Sequence, residues 1–377
     1  MSNLVALRKF HEEMFQSVSG HSVTSPLGAW VLGALLAGED LPIEQQANLA
    51  TALGMSVSEA HHIASRLAHQ DSPLLGAAYG IWDRNIQSPN YQQWSDSLRE
   101  IATVDHDIPS KAELNDWVIN KSKRILNEFP GDVTDDVIAI LASVIAADIT
   151  WSEPFGVVSA AGAMRSWGKR GMMISGATHP VFTGKTTDGK RYGVHLASAK
   201  APDEKSKLSV YSIISADAEE SSSDVLLAAY DIVNALTDSS ASDQFQKDVF
   251  EGGIFSQKQV MAQSPDGLAY MPAWQANTEV DLSDMSFMDP FIQANAARGV
   301  HGNAVSCKQV AKAEYGPRGF KAAAVTSMIV VRSAVPQRKV QQVIEFSHPY
   351  AVIAVLETEG SVIPAFTAWV AQAVDPK

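Results

Sequence analysis

The chain has 377 residues, of which 46% are hydrophobic and 19% charged, enough apolar material for a sizeable core in one large domain or two. Its net charge of -13 would repel nucleic acid and anionic membrane surfaces alike, and no basic run offsets it. The single Cys307 can form no internal disulfide and reads as a small apolar residue, so the composition calls neither for an oxidising compartment nor for a cysteine metal site.

At the N-terminus, residues 3–18 place Leu4, Leu7, Phe10 and Met14 near one helical face, and Gly20 closes the helix. Charged residues from Arg8 onward interrupt the apolar core that a secretory signal needs. A cytoplasmic protein is therefore favoured, with a processed secreted form left open. Ser25 precedes Pro26, an arrangement suited to a helix start, and the apolar run to Leu36 reads as a buried helix too short to span a membrane. Residues 47–68 are helical by composition; His61, His62 and His69 there have no third ligand nearby and read as solvated or packed side chains. A strand is predicted over 75–82 and a helix over 89–101, with Asp105, His106 and Asp107 in a surface turn.

Residues 113–129 carry Leu114, Trp117, Val118, Lys121 and Ile125 at helical spacing. An apolar run over 139–155 then ends in Trp151, Pro154 and Phe155. Residues 159–206, rich in Gly, Lys, Ser and Thr, predict turns and short strands. A strand at 207–218, a solvated loop at 219–223 and a helix at 224–236 follow. Two β-rich runs, 345–356 and 361–370, form a credible hairpin near the C-terminus. No Gly-x-Ser-x-Gly elbow, metal cluster or phosphate loop occurs, so neither an enzyme nor a bound metal or cofactor is expected.

The most informative stretch is 309–334. Residues 310–315 read as a strand, broken by Gly316, Pro317, Arg318 and Gly319. Beyond the break, Ala322, Ala323, Ala324, Val325, Thr326 and Ser327 lead into Met328, Ile329, Val330 and Val331. Small side chains followed by β-branched ones enter a crowded sheet at little steric cost. Period two puts Phe320, Ala322, Ala324 and Thr326 on one face and Lys321, Ala323 and Val325 on the other. By pattern alone the segment is equally an ordinary central strand or an Ala-rich helix.

Gly319 to Thr326, with the strand before it, resembles the proximal hinge of the reactive-centre loop of serpins, whose usual pattern is Glu, a variable residue, Gly, Thr or Ser, Glu, a run of Ala, and Thr. Gly319, the three alanines and Thr326 fall in register, while Pro317, Phe320 and Lys321 replace the usual Glu, Thr or Ser, and Glu. The likeness extends in family order through Ser25-Pro26-Leu27, the LATALGM stretch at 49–55, the Asn-x-Trp-Val element at 115–118, the Trp-x-x-Pro-Phe ending at 151–155, the tract at 270–282, and His348-Pro349-Tyr350, where the family has a basic residue, Pro and Phe. It covers nearly the whole chain and is weakest over 155–207.

The resemblance implies an α+β fold: one serpin-like domain over 1–377, three β-sheets with surrounding helices, and an exposed loop after the hinge. It implies a monomer whose partner is a serine protease, with no nucleic acid, membrane or cofactor. The protease would attack the loop as substrate, and the cut loop would insert as a new strand before the acyl-enzyme is released. This switch is a known example of strain release on loop insertion. The usual hinge length places the scissile bond at Ser333-Ala334, and a hinge shorter by one residue places it at Arg332-Ser333. Arg332 suits a trypsin-like pocket and Ser333 an elastase-like one, with Arg338 and Lys339 as more distant alternatives. In the sheet-opening region Ser25 keeps the Ser-Pro position, Ser143 replaces the usual Asn, Gln309 replaces the usual His, and Trp151 stands at the top of the main sheet. Phe320, bulky at the first inward-facing hinge position, calls for a matching space beneath it. A non-inhibitory carrier or chaperone-like binder with the same fold is the alternative.

Overall fold

The computed structural model describes residues 3–16, 20–69, 74–168, 171–174, 178–200, 205–261, 267–300, 307–320, 338–358 and 361–376. The first helix, α1 (Asn3–Gln16), buries Leu4, Leu7, Phe10 and Met14, as their spacing predicts. After β1 (Ser22–Thr24), Ser25 caps α2 (Pro26–Leu36): its side chain accepts from the Gly28 N–H, and Pro26 takes the first helical position, where its missing N–H costs nothing. Every residue of α2 except Leu32 is buried, so this is a core helix.

The helix expected over 47–68 is two, α3 (Ile43–Leu53) and α4 (Val57–His69). Between them Gly54 adopts a left-handed φ of 70° and donates back to the Ala50 carbonyl, a conformation that ends a helix cheaply only at glycine. Then come β2 (Leu75–Asp83), α5 (Pro89–Ser97) and β3 (Ala102–Asp105). The predicted turn after β3 holds more than solvent: His106 Nδ1 lies 2.9 Å from a carboxylate oxygen of the buried Asp83.

Ser110 and Glu113 form a reciprocal capping box at the start of α6 (Lys111–Lys121). The helix ends eight residues before the predicted Phe129, with Lys123 and Arg124 at positive φ. Tertiary bonds override the helical periodicity here. The Lys111 ammonium binds the carbonyls of Phe129 and Gly131, and Asn115 accepts from the Phe129 N–H at 2.8 Å. Leu114 and Val118 are buried as expected, whereas Lys121 is exposed.

The remaining strands begin with β4 (Ala139–Ala147), β5 (Ile149–Thr150), β6 (Gly156–Ser159), β7 (Gly171–Ile174), β8 (Val181–Thr186), β9 (Arg191–Lys200) and β10 (Ser206–Ser215). The ten-residue β9 corrects the expectation of short strands in this region; its alternating Tyr192, Val194 and Leu196 pack on one side and Ala197 and Ala199 on the other. The loop before α7 (Ser222–Thr237) is also not simply solvated. Glu220, its side chain 6% exposed, accepts from Lys190, Tyr192 and Ser215 at 2.6 to 2.8 Å. Strand ends separated in sequence supply those three donors, which local composition does not reveal.

The chain continues through β11 (Phe245–Lys247), β12 (Phe255–Met261), β13 (Gly267–Pro272), β14 (Trp274–Asp281), α8 (Met288–Ala297), β15 (Lys308–Gly316), β16 (Gly319–Phe320), β17 (Arg338–Glu345), β18 (Tyr350–Thr358) and β19 (Ser361–Val370). One sheet has the order β1-β19-β18-β10-β9-β8-β11, with the predicted β18–β19 hairpin next to its β1 edge, and a second has the order β12-β17-β13-β7-β6. The other two ladders, β3-β2-β4 and β14-β15-β16-β5, are joined by the chain itself, because only Asp148 separates β4 from β5. Strand β4 thus runs on into β5, and Ser143 of β4 and Gln309 of β15 both lie beside Gly28, so the two ladders stand edge to edge. Among the described residues no ladder joins β4 to β15, and a seam runs between them.

Candidate functional site: the seam and its hinge turn

The two ends of the seam are held differently. At the β16 end, Tyr315 pairs with Phe320 and Gly316 with Gly319, so Pro317 and Arg318 form a two-residue turn that reverses β15 into β16. Proline suits the first central position of such a turn, since its φ is already set. On its other edge β16 pairs with β5, Gly319 opposite Thr150 and Phe320 opposite Ile149. The first two hinge residues are therefore already strand in the intact chain.

Phe320 is 4% exposed. Its ring meets Trp274 at 6.4 Å and Phe366 at 6.0 Å between centroids, and Trp274 in turn stacks on Tyr315 at 5.9 Å with an interplanar angle of 3°. The Phe320 ring is thus packed between those of Trp274 and Phe366. Trp151 and Phe155 hold the turn from the flank. The Trp151 indole N–H donates to the Gly316 carbonyl at 3.0 Å, the Phe155 N–H to Pro317 at 2.7 Å, and the Trp151 N–H to Arg318 at 3.0 Å. Three consecutive carbonyls of the turn thus each have a donor from a single five-residue segment.

The other end lies near Gln309, about 20 Å away along β15 at the rise of an extended strand. There Ser25 and Gln309 bond reciprocally: the Ser25 N–H donates to the Gln309 side-chain carbonyl and the Gln309 amide donates to the Ser25 carbonyl, both at 2.8 Å. The Ser25 hydroxyl donates to Ala365 at 2.8 Å, and the Ser143 hydroxyl donates to the Gly28 carbonyl at 2.7 Å. Gly28 sits at the junction, where a Cβ would meet Gln309, Ser25 and Ser143 at 3.4 to 3.5 Å.

Of the residues singled out by sequence, Ser25, Ser143 and Gln309 come together, and Trp151 joins Gly319 and Phe320 at the opposite end. Lys321, Ala322, Ala323, Ala324, Val325, Thr326, Arg332, Ser333 and Ala334 lie outside the described residues. Arg338 and Lys339 belong to β17, paired with Met261 and Val260, so cleavage there would first require breaking a ladder. Sequence reasoning passed over Gly28, Trp274, Phe366 and two histidines behind Phe155. Gly28 had a readable signal, since a glycine inside an otherwise apolar helix costs about 1 kcal/mol relative to Ala and marks a close approach.

The histidines are His179 and His195, whose rings lie 4.6 and 5.5 Å from that of Phe155. Burial is the main cause holding both below the ordinary histidine range; for His179 the Glu153 carbonyl and carboxylate oppose it, and for His195 the neighbouring His179 adds to it. Burial likewise pushes the Tyr315 phenol up. Among the described residues no group of three or more His, Cys, Asp or Glu side chains is placed to hold a metal ion, and no helix is long and apolar enough to cross a membrane.

No sequence-family model and no curated protein matches the chain. Solved structures do. Native protease nexin-1 with heparin superposes with a TM-score of 0.63 at 15% identity, covering 98% of this chain and 99% of that one. This chain has the serpin fold. Thyroxine-binding globulin complexed with thyroxine is similar over 98% of both chains, at a TM-score of 0.65 and 13% identity. The thermophilic serpin tengpin in its native state is similar over 98% of this chain and 93% of its own, at 0.64 and 14%. The serpin-like order read from the hinge, the Trp-x-x-Pro-Phe ending and the C-terminal hairpin thus holds at the level of the fold.

Proposed function

We propose that the protein is a serine protease inhibitor that acts as a suicide substrate through the loop following Phe320. The observation that carries this reading is β16: the strand that insertion would extend has already begun, in register, between β15 and β5. The small-residue run from Ala322 to Thr326 continues from it in sequence, and the seam below lacks a β4–β15 ladder among the described residues. An incoming strand would satisfy the backbone groups of both edges. In the reaction the protease serine attacks the scissile carbonyl, the peptide C–N bond breaks, an ester forms, and the freed amine takes its proton from the protease's own base. This chain contributes the bond and the strand.

Arg332 is the proposed bait for a trypsin-like protease, with Ser333 and Ala334 marking the alternative elastase-like bond. Incubation with trypsin should give a complex that survives a denaturing gel, and Arg332→Ala should abolish it while leaving the urea-unfolding midpoint unchanged. Cleavage by trypsin and by an elastase-like protease with no stable complex would overturn the inhibitory reading.

One observation favours a second reading, a non-inhibitory binding protein. Phe320 is buried among Trp274 and Phe366, a placement that anchors the hinge as firmly as it prepares it. Thyroxine-binding globulin, seen with thyroxine, shares the fold. Clean cleavage in the gel experiment would favour that class.

A further inference from the structure

Behind the residues that hold the hinge turn lies a buried pair of imidazoles. His195, on β9, is fully buried, and neither of its ring nitrogens has a hydrogen-bond partner among the described residues. His179 is 2% exposed; its Nε2 lies 2.6 Å from the Glu153 carbonyl, which can only accept, so the proton sits on Nε2 and Nδ1 presents an unpartnered lone pair. The rings are 5.7 Å apart between centroids, both contact Phe155, and His179 also meets the edge of Trp151 at 6.5 Å. They form a second layer behind the two residues whose N–H groups grip Gly316, Pro317 and Arg318.

A neutral imidazole fits this place as a flat, mostly apolar plate. Burial disfavours an imidazolium at both rings. The Glu153 carbonyl and carboxylate offset part of that cost at His179, whereas at His195 the neighbouring His179 adds to it. Ser212, opposite His195 in the β9–β10 ladder, is uncharged. Tyr315 on β15, which stacks on Phe155, and Tyr350 on β18 stay neutral across the acid range because burial raises both. The remaining titratable neighbour is the other histidine, which repels.

We propose that His179 and His195 form an acid-released latch on the hinge turn: proton uptake by these rings expels them from behind Phe155 and Trp151, breaks the three hydrogen bonds to the turn, and frees Gly319 and Phe320 from the seam. The sign follows from linkage. Because both histidines are lowered from the ordinary value of 6.5, the neutral rings stabilise the closed turn fully above pH 6.5. That contribution is lost as pH falls below it, since the opened site takes up protons that the closed site refuses. The latch concerns the turn itself and stands whether or not the loop traps a protease.

Amide exchange of the peptide containing the Trp151 and Phe155 N–H groups tests it, measured on the intact protein by mass spectrometry between about pH 7.5 and about pH 5 and corrected for the intrinsic rate. The opening constant should rise about tenfold per pH unit below 6.5 for one proton taken up, and up to about a hundredfold for two. The double variant His179→Gln, His195→Gln should show no such rise. A flat profile in the unaltered protein overturns the proposal, and so does the same rise in the double variant. Should that variant fail to fold, the unaltered protein decides alone: a rise shared equally by α7 reports global unfolding and overturns the latch, whereas one confined to the turn and its anchors supports it.

Discussion

The two ends of the seam differ in what closes them. At the β16 end the closure is a two-residue strand plus a ring buried between Trp274 and Phe366; at the other end it is short polar side chains on Ser25, Ser143 and Gln309 around Gly28. Burying a phenylalanine side chain contributes about 1.5 to 3 kcal/mol, whereas a typical hydrogen bond contributes about 0.5 to 1.5 kcal/mol net, because water offers a substitute partner. One end is thus held by a contact that water cannot replace and the other by bonds that can be exchanged. On the proposed mechanism the strand would enter at the firmer end, so the bulky hinge residue would have to be accommodated before the polar end opens.

The largest expected effect comes from breaking the firm end. Phe320→Arg would put a guanidinium in a buried place against the Trp274 and Phe366 rings, and should lower unfolding stability by about 3 kcal/mol or more. Phe320→Thr, which restores the residue type usual in serpins, should still cost about 3 kcal/mol, because the space left between Trp274 and Phe366 cannot fully collapse. Urea unfolding would measure both; a loss below about 1 kcal/mol for the threonine variant would mean the ring does not close this end.

An intermediate effect is expected at the polar end. Gln309→Ala removes both reciprocal bonds with Ser25, at a cost of about 1 to 3 kcal/mol. A loss below about 0.5 kcal/mol, read from the same unfolding curves, would show that this pair does not close the polar end. A smaller effect sharpens the comparison within the firm end: Trp151→Phe keeps a ring beside Tyr315 but removes the bond to the Gly316 carbonyl and part of the buried indole's packing, so about 1 to 2 kcal/mol should be lost. A loss as large as that of Phe320→Thr would make the anchors, rather than the buried ring, the main closure.

Much of the fold was legible because its signals are local. The Ser25-Pro26 cap, the stripe of α1, the β18–β19 hairpin and the Gly-Pro-Arg-Gly reversal each depend on residues within a few positions of one another. Gly54 was equally local, and the division of α3 from α4 could have been read from it. The early end of α6 could not, since it depends on Lys111 and Asn115 reaching groups near Phe129. Nor could the burial of Glu220, whose donors are Lys190 just before β9, Tyr192 on β9 and Ser215 on β10.

For the candidate site, the sequence by itself determined the hinge composition, the turn that precedes it, and which short polar residues stand at Ser25, Ser143 and Gln309. Only the tertiary structure decided that Phe320 is already inside the sheet, that Trp151 and Phe155 hold the three turn carbonyls, and that two buried imidazoles stand behind them. Side-chain period and turn chemistry are properties of neighbouring residues. Pairing β16 with β5 and setting His195 edge-on to Phe155 join segments far apart in the chain, and such contacts form only where the folded sheets bring their edges and faces together.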